Sequence, residues 1–363
     1  MNEDTITLMT LDYPPEIGGV SRYLSALVKA SKGAIRVIVP EGHRLDGPGT
    51  VETRKLFRLI WPHWWPMVGV CRKEKKRRHI MLVSHVFPVG TAAWISRMLG
   101  GPEYIVIYHG LDVRLARGRW KRWLLRRVSR CAWSCIANSE STKLDLVAIV
   151  PGLRVTVLTP GVEDVTYPTR EAARRSLGIG HNEKVVVTVS RLIPRKGVDF
   201  SISAMADIQQ EIEVQYVIIG DGSYREHLQS LAETSRARIR WIPHADDDHV
   251  RMWLAASDVF LLPTRDEGID VEGFGIVYLE AALAGIPAIA GRSGGAVEAV
   301  RHERTGLLVH PEQLDEIVEA LTLLLTDESL RHRLGEAAKR RAKSDFRWND
   351  RWSVLSRACG VDT

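Results

Sequence analysis

Short β-branched and aliphatic runs alternate with stretches of helical spacing along almost the whole chain, and that alternation restricts it to an α/β architecture built on parallel sheets. Residues 5–9, 34–40, 80–84, 104–108, 134–138 and 155–158 read as strands of a first unit. Residues 159–168 read as a linker, with Pro160, Gly161 and Pro168 as punctuation. A second set of strands at 184–190, 214–220, 239–242, 259–263, 288–290 and 306–309 then begins another doubly wound unit. Runs this apolar suit strands covered by helices on both faces. With 363 residues the chain is long for one domain. The predicted division is 1–164, 165–343 and a closing segment 344–363; the last helical stretch, from about Glu328 onward, runs into that segment and carries Phe346, Trp348 and Trp352.

Composition narrows the class further. Cys71, Cys131, Cys135 and Cys359 lack metal-site spacing, so reduced thiols in a cytoplasmic setting are the expectation. The acidic start from Met1 to Thr5 does not read as a signal peptide, and no run approaches the roughly 18 to 20 apolar residues that span a bilayer. Charge is uneven: residues 1–165 hold 25 Lys and Arg against 14 Asp and Glu, whereas the remainder is acidic. The excess gathers in the run from Arg72 to Arg78 and between Arg114 and Arg130, where Trp120 and Trp123 sit among arginines. Trp61-Pro-His-Trp-Trp-Pro66 adds an aromatic segment. Tryptophan with basic residues suits the headgroup layer of an anionic membrane. The plainer alternative is a solvated basic helix whose tryptophans are core. No nucleic-acid-binding module is present, so no nucleic-acid partner is expected.

Chemistry concentrates in Glu272-Gly-Phe-Gly-Ile-Val-Tyr-Leu-Glu280. Gly273 and Gly275 open a loop in which backbone N–H groups can approach a ligand, and the spacing predicts a helix over 276–284, whose N-terminus suits an anion. Glu272 and Glu280 lie about two turns apart and can grip different parts of one long ligand. Arg191 follows a strand, and Lys196 stands five residues on beside a turn shaped by Pro194 and Gly197. Two such cations can hold a diphosphate. Gly18-Gly19 after the first strand repeats the strand, glycine loop, helix pattern. It lacks the Gly-x-Gly-x-x-Gly of a dinucleotide fingerprint, and Gly220-Asp-Gly222 lacks the third glycine, which argues against an oxidoreductase. Asp246-Asp-Asp248 offers clustered carboxylates, yet its place before a helix predicts an N-terminal cap rather than a metal site.

Glu272 to Glu280, together with Arg191 and Lys196, closely resembles the Glu-x7-Glu signature of retaining glycosyltransferases of family 4. The resemblance implies a GT-B fold, two Rossmann-like domains facing a central cleft. It further implies a first domain on the acceptor side, a second that binds a nucleotide sugar, and a terminal helix returning to the first. Donor contacts then fall on Gly18, Gly19, Arg191, Lys196, Gly220, Glu272, Gly273, Phe274, Gly275, Ile276, Val277 and Glu280. His109, at a strand end before Gly110, is implied to face the transferred sugar; Tyr13, Arg22 and His85 are acceptor-side candidates, and Tyr23 beside Arg22 is a further residue expected to be able to face the cleft. No cofactor or metal is implied. The segment resembles most the mannosyltransferases of phosphatidylinositol mannoside and polyprenol-linked polysaccharide pathways, so GDP-mannose is the expected donor, with a UDP-hexose as the alternative. The basic, tryptophan-bearing first half favours a lipid-linked acceptor, with a glycan acceptor as the other form, and a peripheral place on the inner face of the plasma membrane. The remaining alternative is a nucleotide-sugar-binding protein without catalysis.

Overall fold

The computed structural model describes residues 6–16, 18–44, 47–75, 80–163 and 165–360. Thr5, at the predicted start of the first strand, Lys76, Arg77 and Arg78 of the basic run, and Asp164 of the linker lie outside the described residues. The chain divides into two compact units, one of residues 1–163 with 346–363 and the other of residues 164–345.

In the first unit, seven strands pair in parallel in the order β3-β2-β1-β4-β5-β6-β7. They are β1 Ile6–Met9, β2 Ile35–Pro40, β3 Thr50–Arg54, β4 Ile80–Val83, β5 Tyr104–Tyr108, β6 Ser134–Ala137 and β7 Val155–Val157. The second unit has six, in the order β10-β9-β8-β11-β12-β13. These are β8 Lys184–Val189, β9 Val214–Ile219, β10 Ile239–Ile242, β11 Val259–Leu262, β12 Ala288–Gly291 and β13 Gly306–Val309. Strand direction of progress reverses between β1 and β4 and again between β8 and β11. Loops leaving the carboxyl ends of those strands diverge there, which is where open α/β sheets take their ligands.

One strand escapes sequence reading. Thr50–Arg54 is polar and lies at the sheet edge, with its side chains half-buried at most. Its Glu52 meets the buried Arg36 of β2 at 2.8 Å, and Arg36 also pairs with buried Glu74, so charge satisfaction rather than apolar pattern defines this edge. The closing helical stretch is also not continuous. It ends at Asp345, and after Phe346 and Arg347 a second helix begins at Trp348. Arg347 forms a parallel bridge with Val162, and Val162 N donates to Phe346 O at 2.7 Å.

Three helices bear on function: α1 (Gly19–Ala30), α2 (Ile276–Ala284) and α3 (Trp348–Ala358). α3 packs on the first sheet through Trp348, Leu355 and Cys359, in one core with Tyr23, Leu24 and Leu27 of α1. Among the described residues, no helix is long and apolar enough to cross a membrane. The helix Arg119–Cys131 buries Leu125, Val128 and Ser129 and leaves Arg119, Lys121, Arg122, Arg126, Arg127 and Arg130 exposed. Trp120 and Trp123 stand exposed on it at 68% and 39%, stacked at 4.9 Å. They are not core, and neither is Trp61, 80% exposed, whereas Trp64 packs against the core.

Candidate nucleotide-sugar site

β8 delivers Ser190 and Arg191 at its carboxyl end, and a single 3-10 turn, Pro194–Lys196, follows. Pro194 opens the turn with a fixed φ, and Gly197 closes it in the left-handed region at φ 65°. A Cβ on Gly197 would lie 2.1 Å from Pro263 O at the end of β11, so the turn is pressed against the neighbouring strand. Arg265 N donates to Arg195 O at 2.8 Å, and the Arg265 guanidinium is fixed by Asp199 and Glu267, which ties the two loops together.

This packing aims two buried cations at Glu272. Lys196 Nζ donates to Glu272 Oε2 at 2.5 Å, and Arg195 Nη1 donates to the same oxygen at 2.8 Å. Arg195 Nε lies 2.8 Å from Asp270 Oδ1. Sequence reading treats Arg195 as part of a turn and sends Lys196 and Glu272 separately to ligand. Here Arg195 is buried and the three form one network. Burial would raise the Glu272 carboxyl, but Lys196 and Arg195 outweigh it and hold it at about 2. Burial lowers the Lys196 ammonium against the pull of Glu272. Glu272 and Asp270 together balance Lys196 and Arg195, so the exposed Arg191 on the same loop supplies the further positive charge that suits an anion.

The Glu272 pKa lies below the unfolded value of about 4.3, so its stabilisation is fully present above that pH and is lost as pH falls toward 2. We expect the stability difference between the wild type and Glu272→Gln to shrink by about 3 kcal/mol over that window. Urea unfolding at stepped pH measures it, and a difference that stays constant would count against an ionised Glu272.

Beyond Glu272, α2 begins behind Gly275, a left-handed residue at φ 82°, with no side-chain cap on its first turn. Its leading N–H groups suit an anion. A Cβ on Gly275 would strike the Tyr278 ring at 2.5 Å. Gly295 N donates to Glu272 O at 2.9 Å, and a Cβ on Gly294 or Gly295 would meet the Glu272 or Gly273 carbonyl oxygen, so this second glycine loop backs the first. Gly273, Ile276 and Val277 are half-buried at the entry of α2, Phe274 is buried, and Glu280 sits half-buried one turn into the helix. Arg191 is exposed on the same loop as Lys196. Gly220 has a structural reason of its own: at φ 126°, its Cβ would stand 2.0 Å from Ser190 O. Asp246 caps the helix Asp247–Ala256 by accepting from His249 N at 2.7 Å, as expected of it.

The first unit carries a second cluster at the carboxyl ends of β1, β4 and β5. His109 follows β5, with its N–H donating to Asp112 Oδ1 at 3.2 Å, and its buried Nε2 has no hydrogen-bond partner. Burial, together with neighbouring His85, pushes its pKa well below the ordinary histidine range, so the ring is neutral. His85 Nε2 lies 3.2 Å from Asp12 Oδ2, and His85 Nδ1 lies 2.8 Å from Ser84 Oγ. Asp12 was not among the expected acceptor-side residues; a short polar residue three positions past a predicted strand was its only signal. Gly18 and Gly19 enter α1, and a Cβ on either would meet open space. Arg22 is exposed. Tyr13 and Tyr23 differ from expectation: both are fully buried, with their hydroxyls donating to Pro48 O at 2.6 Å and to Leu158 O at 2.9 Å.

Two doubly wound parallel sheets, with an anion-suited loop and helix at the second switch point, are the GT-B fold. Residues 17–166 match the profile "Glycosyltransferase Family 4" and residues 169–341 match "Glycosyl transferases group 1". The chain belongs to glycosyltransferase family 4. It is 30% identical to the GDP-mannose-dependent alpha-(1-6)-phosphatidylinositol monomannoside mannosyltransferase of Mycobacterium tuberculosis, with 95% of each chain covered. The D-inositol 3-phosphate glycosyltransferase of Jonesia denitrificans is 32% identical, covering 77% of this chain and 72% of that one. Among solved structures, Anabaena HepE in complex with UDP superposes with a TM-score of 0.82 at 19% identity, over 98% of this chain and 99% of that one.

Proposed function

We propose that the protein is a retaining mannosyltransferase that moves mannose from GDP-mannose to a hydroxyl of a lipid-linked acceptor at the inner face of the plasma membrane. The observation that carries this reading is the buried Lys196, Arg195 and Glu272 network beside the uncapped start of α2. Together with the exposed Arg191 it offers cationic side chains and backbone N–H groups to a diphosphate, and a carboxylate to sugar hydroxyls. Arg191 and Lys196 stabilise the leaving diphosphate, Glu272 and the amides around Gly275 and Ile276 hold the sugar, and Glu280 takes the ribose diol. Gly18 and Gly19 support the same reading, because no neighbouring atom demands a glycine at either position. His109 meets the sugar with its neutral ring. The bond from the sugar's anomeric carbon to the diphosphate breaks as the acceptor oxygen bonds that carbon on the same face. The acceptor proton passes to the departing diphosphate, so no covalent nucleophile is assigned.

GDP-mannose and a lipid acceptor rest on the mycobacterial relative, matched along nearly its whole length. The exposed Trp120, Trp123 and arginines of the helix 119–131 support attachment to an anionic surface. The similarity to an enzyme named for D-inositol 3-phosphate favours a second reading with a soluble acceptor. Thermal unfolding with GDP, UDP and ADP in the absence of metal tests the donor. A nucleotide at about 100 times its dissociation constant stabilises by about 2.7 kcal/mol. We expect GDP alone to do so, with the effect lost in Lys196→Ala and Glu280→Ala. Stabilisation by UDP alone would replace the donor, and none by any nucleotide would count against a nucleotide-sugar site; stabilisation without transfer would favour a binding protein. Transfer from GDP-mannose to phosphatidylinositol mannoside in anionic vesicles, compared with free D-inositol 3-phosphate, decides the acceptor.

A further inference from the structure

The ring of His109 is placed by packing alone. Its backbone is anchored through Asp112, and Asn138 Nδ2 donates to its carbonyl at 3.5 Å, but its buried Nε2 bonds to nothing among the described residues. An imidazole without a hydrogen bond keeps its orientation only through its neighbours. Tyr23 of α1 presents an edge to it, with centroids 5.3 Å apart and planes at 81°. Tyr23 is held in turn by its hydroxyl bond to Leu158 O and by an edge contact with Trp348 of α3 at 5.5 Å and 73°. Trp348 has a fixed seat: Gly161 lies beneath its indole, where a Cβ would come within 2.8 Å of the ring, and Arg351, one turn on, donates to Thr159 Oγ1 at 2.7 Å.

We infer that Tyr23 and Trp348 are positioning residues for His109, so that the helix which follows the chain's return to the first unit sets the orientation of a ring used in sugar transfer. This rests on the reading of His109 given above. Tyr23 cannot touch substrate from its buried site, and Trp348 stands one ring further away; both act only through the histidine. Because Tyr23 is carried by α1, the glycine pair that opens that helix and the His109 ring share one rigid support.

Misplacing a reacting group by about 1 Å costs on the order of a hundredfold in rate. We expect Tyr23→Leu and Trp348→Leu to lower kcat by about 10- to 100-fold with KM for GDP-mannose changed less than about twofold. Tyr23→Phe, which keeps the edge contact, should recover most of the loss. In a cycle with His109→Ala, either Leu variant should add almost nothing once the histidine is gone. A purely structural role would instead give additive losses. The His109 ring resonances, read by NMR in each folded variant without substrate, should move in Tyr23→Leu and in Trp348→Leu but stay in Tyr23→Phe. If Tyr23→Leu does not fold, Trp348→Leu and the resonance decide the matter. An unchanged His109→Ala rate would overturn the role of His109 itself. A reduced His109→Ala rate with unaltered Leu variants, additive losses, or an unmoved resonance would overturn the positioning inference and leave that role standing.

Discussion

Glu272→Ala is expected to lower stability by about 3 to 5 kcal/mol and transfer by about a thousandfold. Glu272 accepts from both Lys196 and Arg195 in a buried setting, and its removal strands one of them. Arg195 keeps Asp270 as a partner, so Lys196 is left as the uncompensated charge. Breaking one side of a buried pair costs far more than removing both sides. The double variant Glu272→Ala with Lys196→Ala should therefore regain stability over Glu272→Ala while transfer stays at least as low as in Glu272→Ala. Calorimetry and a GDP-mannose transfer assay on the three proteins separate the two effects. A double variant no more stable than the single one would show that Glu272 does not serve as the Lys196 counter-charge.

The second large effect is expected at Gly197. Valine there would have to take a left-handed backbone at φ 65° and would press its Cβ against Pro263 O, already at 2.1 Å in ideal geometry. The strain of the backbone and the overpacking together should cost about 3 kcal/mol. Relief requires the Pro194–Lys196 turn to lift from β11, which moves Arg195 and Lys196 away from Glu272. Transfer should then fall by more than about a hundredfold. Gly178 is the control: it is also left-handed, at φ 70°, but a Cβ there meets nothing within 4 Å. Gly178→Ala should cost about 1 kcal/mol and leave transfer intact. Equal effects at the two glycines would mean that backbone conformation, not contact with β11, explains Gly197.

Most of the fold was legible because twelve of the strands are apolar runs bounded by turn residues, and such runs read the same whether exposed ends differ by one residue or not. β3 was not legible because an edge strand that balances Arg36 with Glu52 has no apolar pattern to read. The break at Phe346 and Arg347 was hidden for a different reason: helical spacing continues through a segment whose extended backbone is imposed by Val162. At the site, the residues of the Glu272 loop and the cations after β8 were visible from motif spacing. Their pairing was not, because residues 272 and 196 meet only through the β8 and β11 neighbourhood. Arg195 carried no signal beyond a charge in a turn. Tyr13 and Tyr23 stand beside loops that invite a ligand, but local sequence does not reveal that Pro48 and Leu158 take their hydroxyls.

The bridge between Val162 and Arg347 makes the second unit, topologically, an insertion. The polypeptide departs from and re-enters the first unit at hydrogen-bonded neighbours, so once residues 164–345 have folded they tether those neighbours as a short loop would. The entropic penalty of joining α3 to the first sheet then reflects a compact body with adjacent ends, not the long stretch of sequence in between. Such an arrangement also lets the inserted body change its interior without altering the hydrogen-bonded neighbours at which the chain leaves and re-enters the first unit.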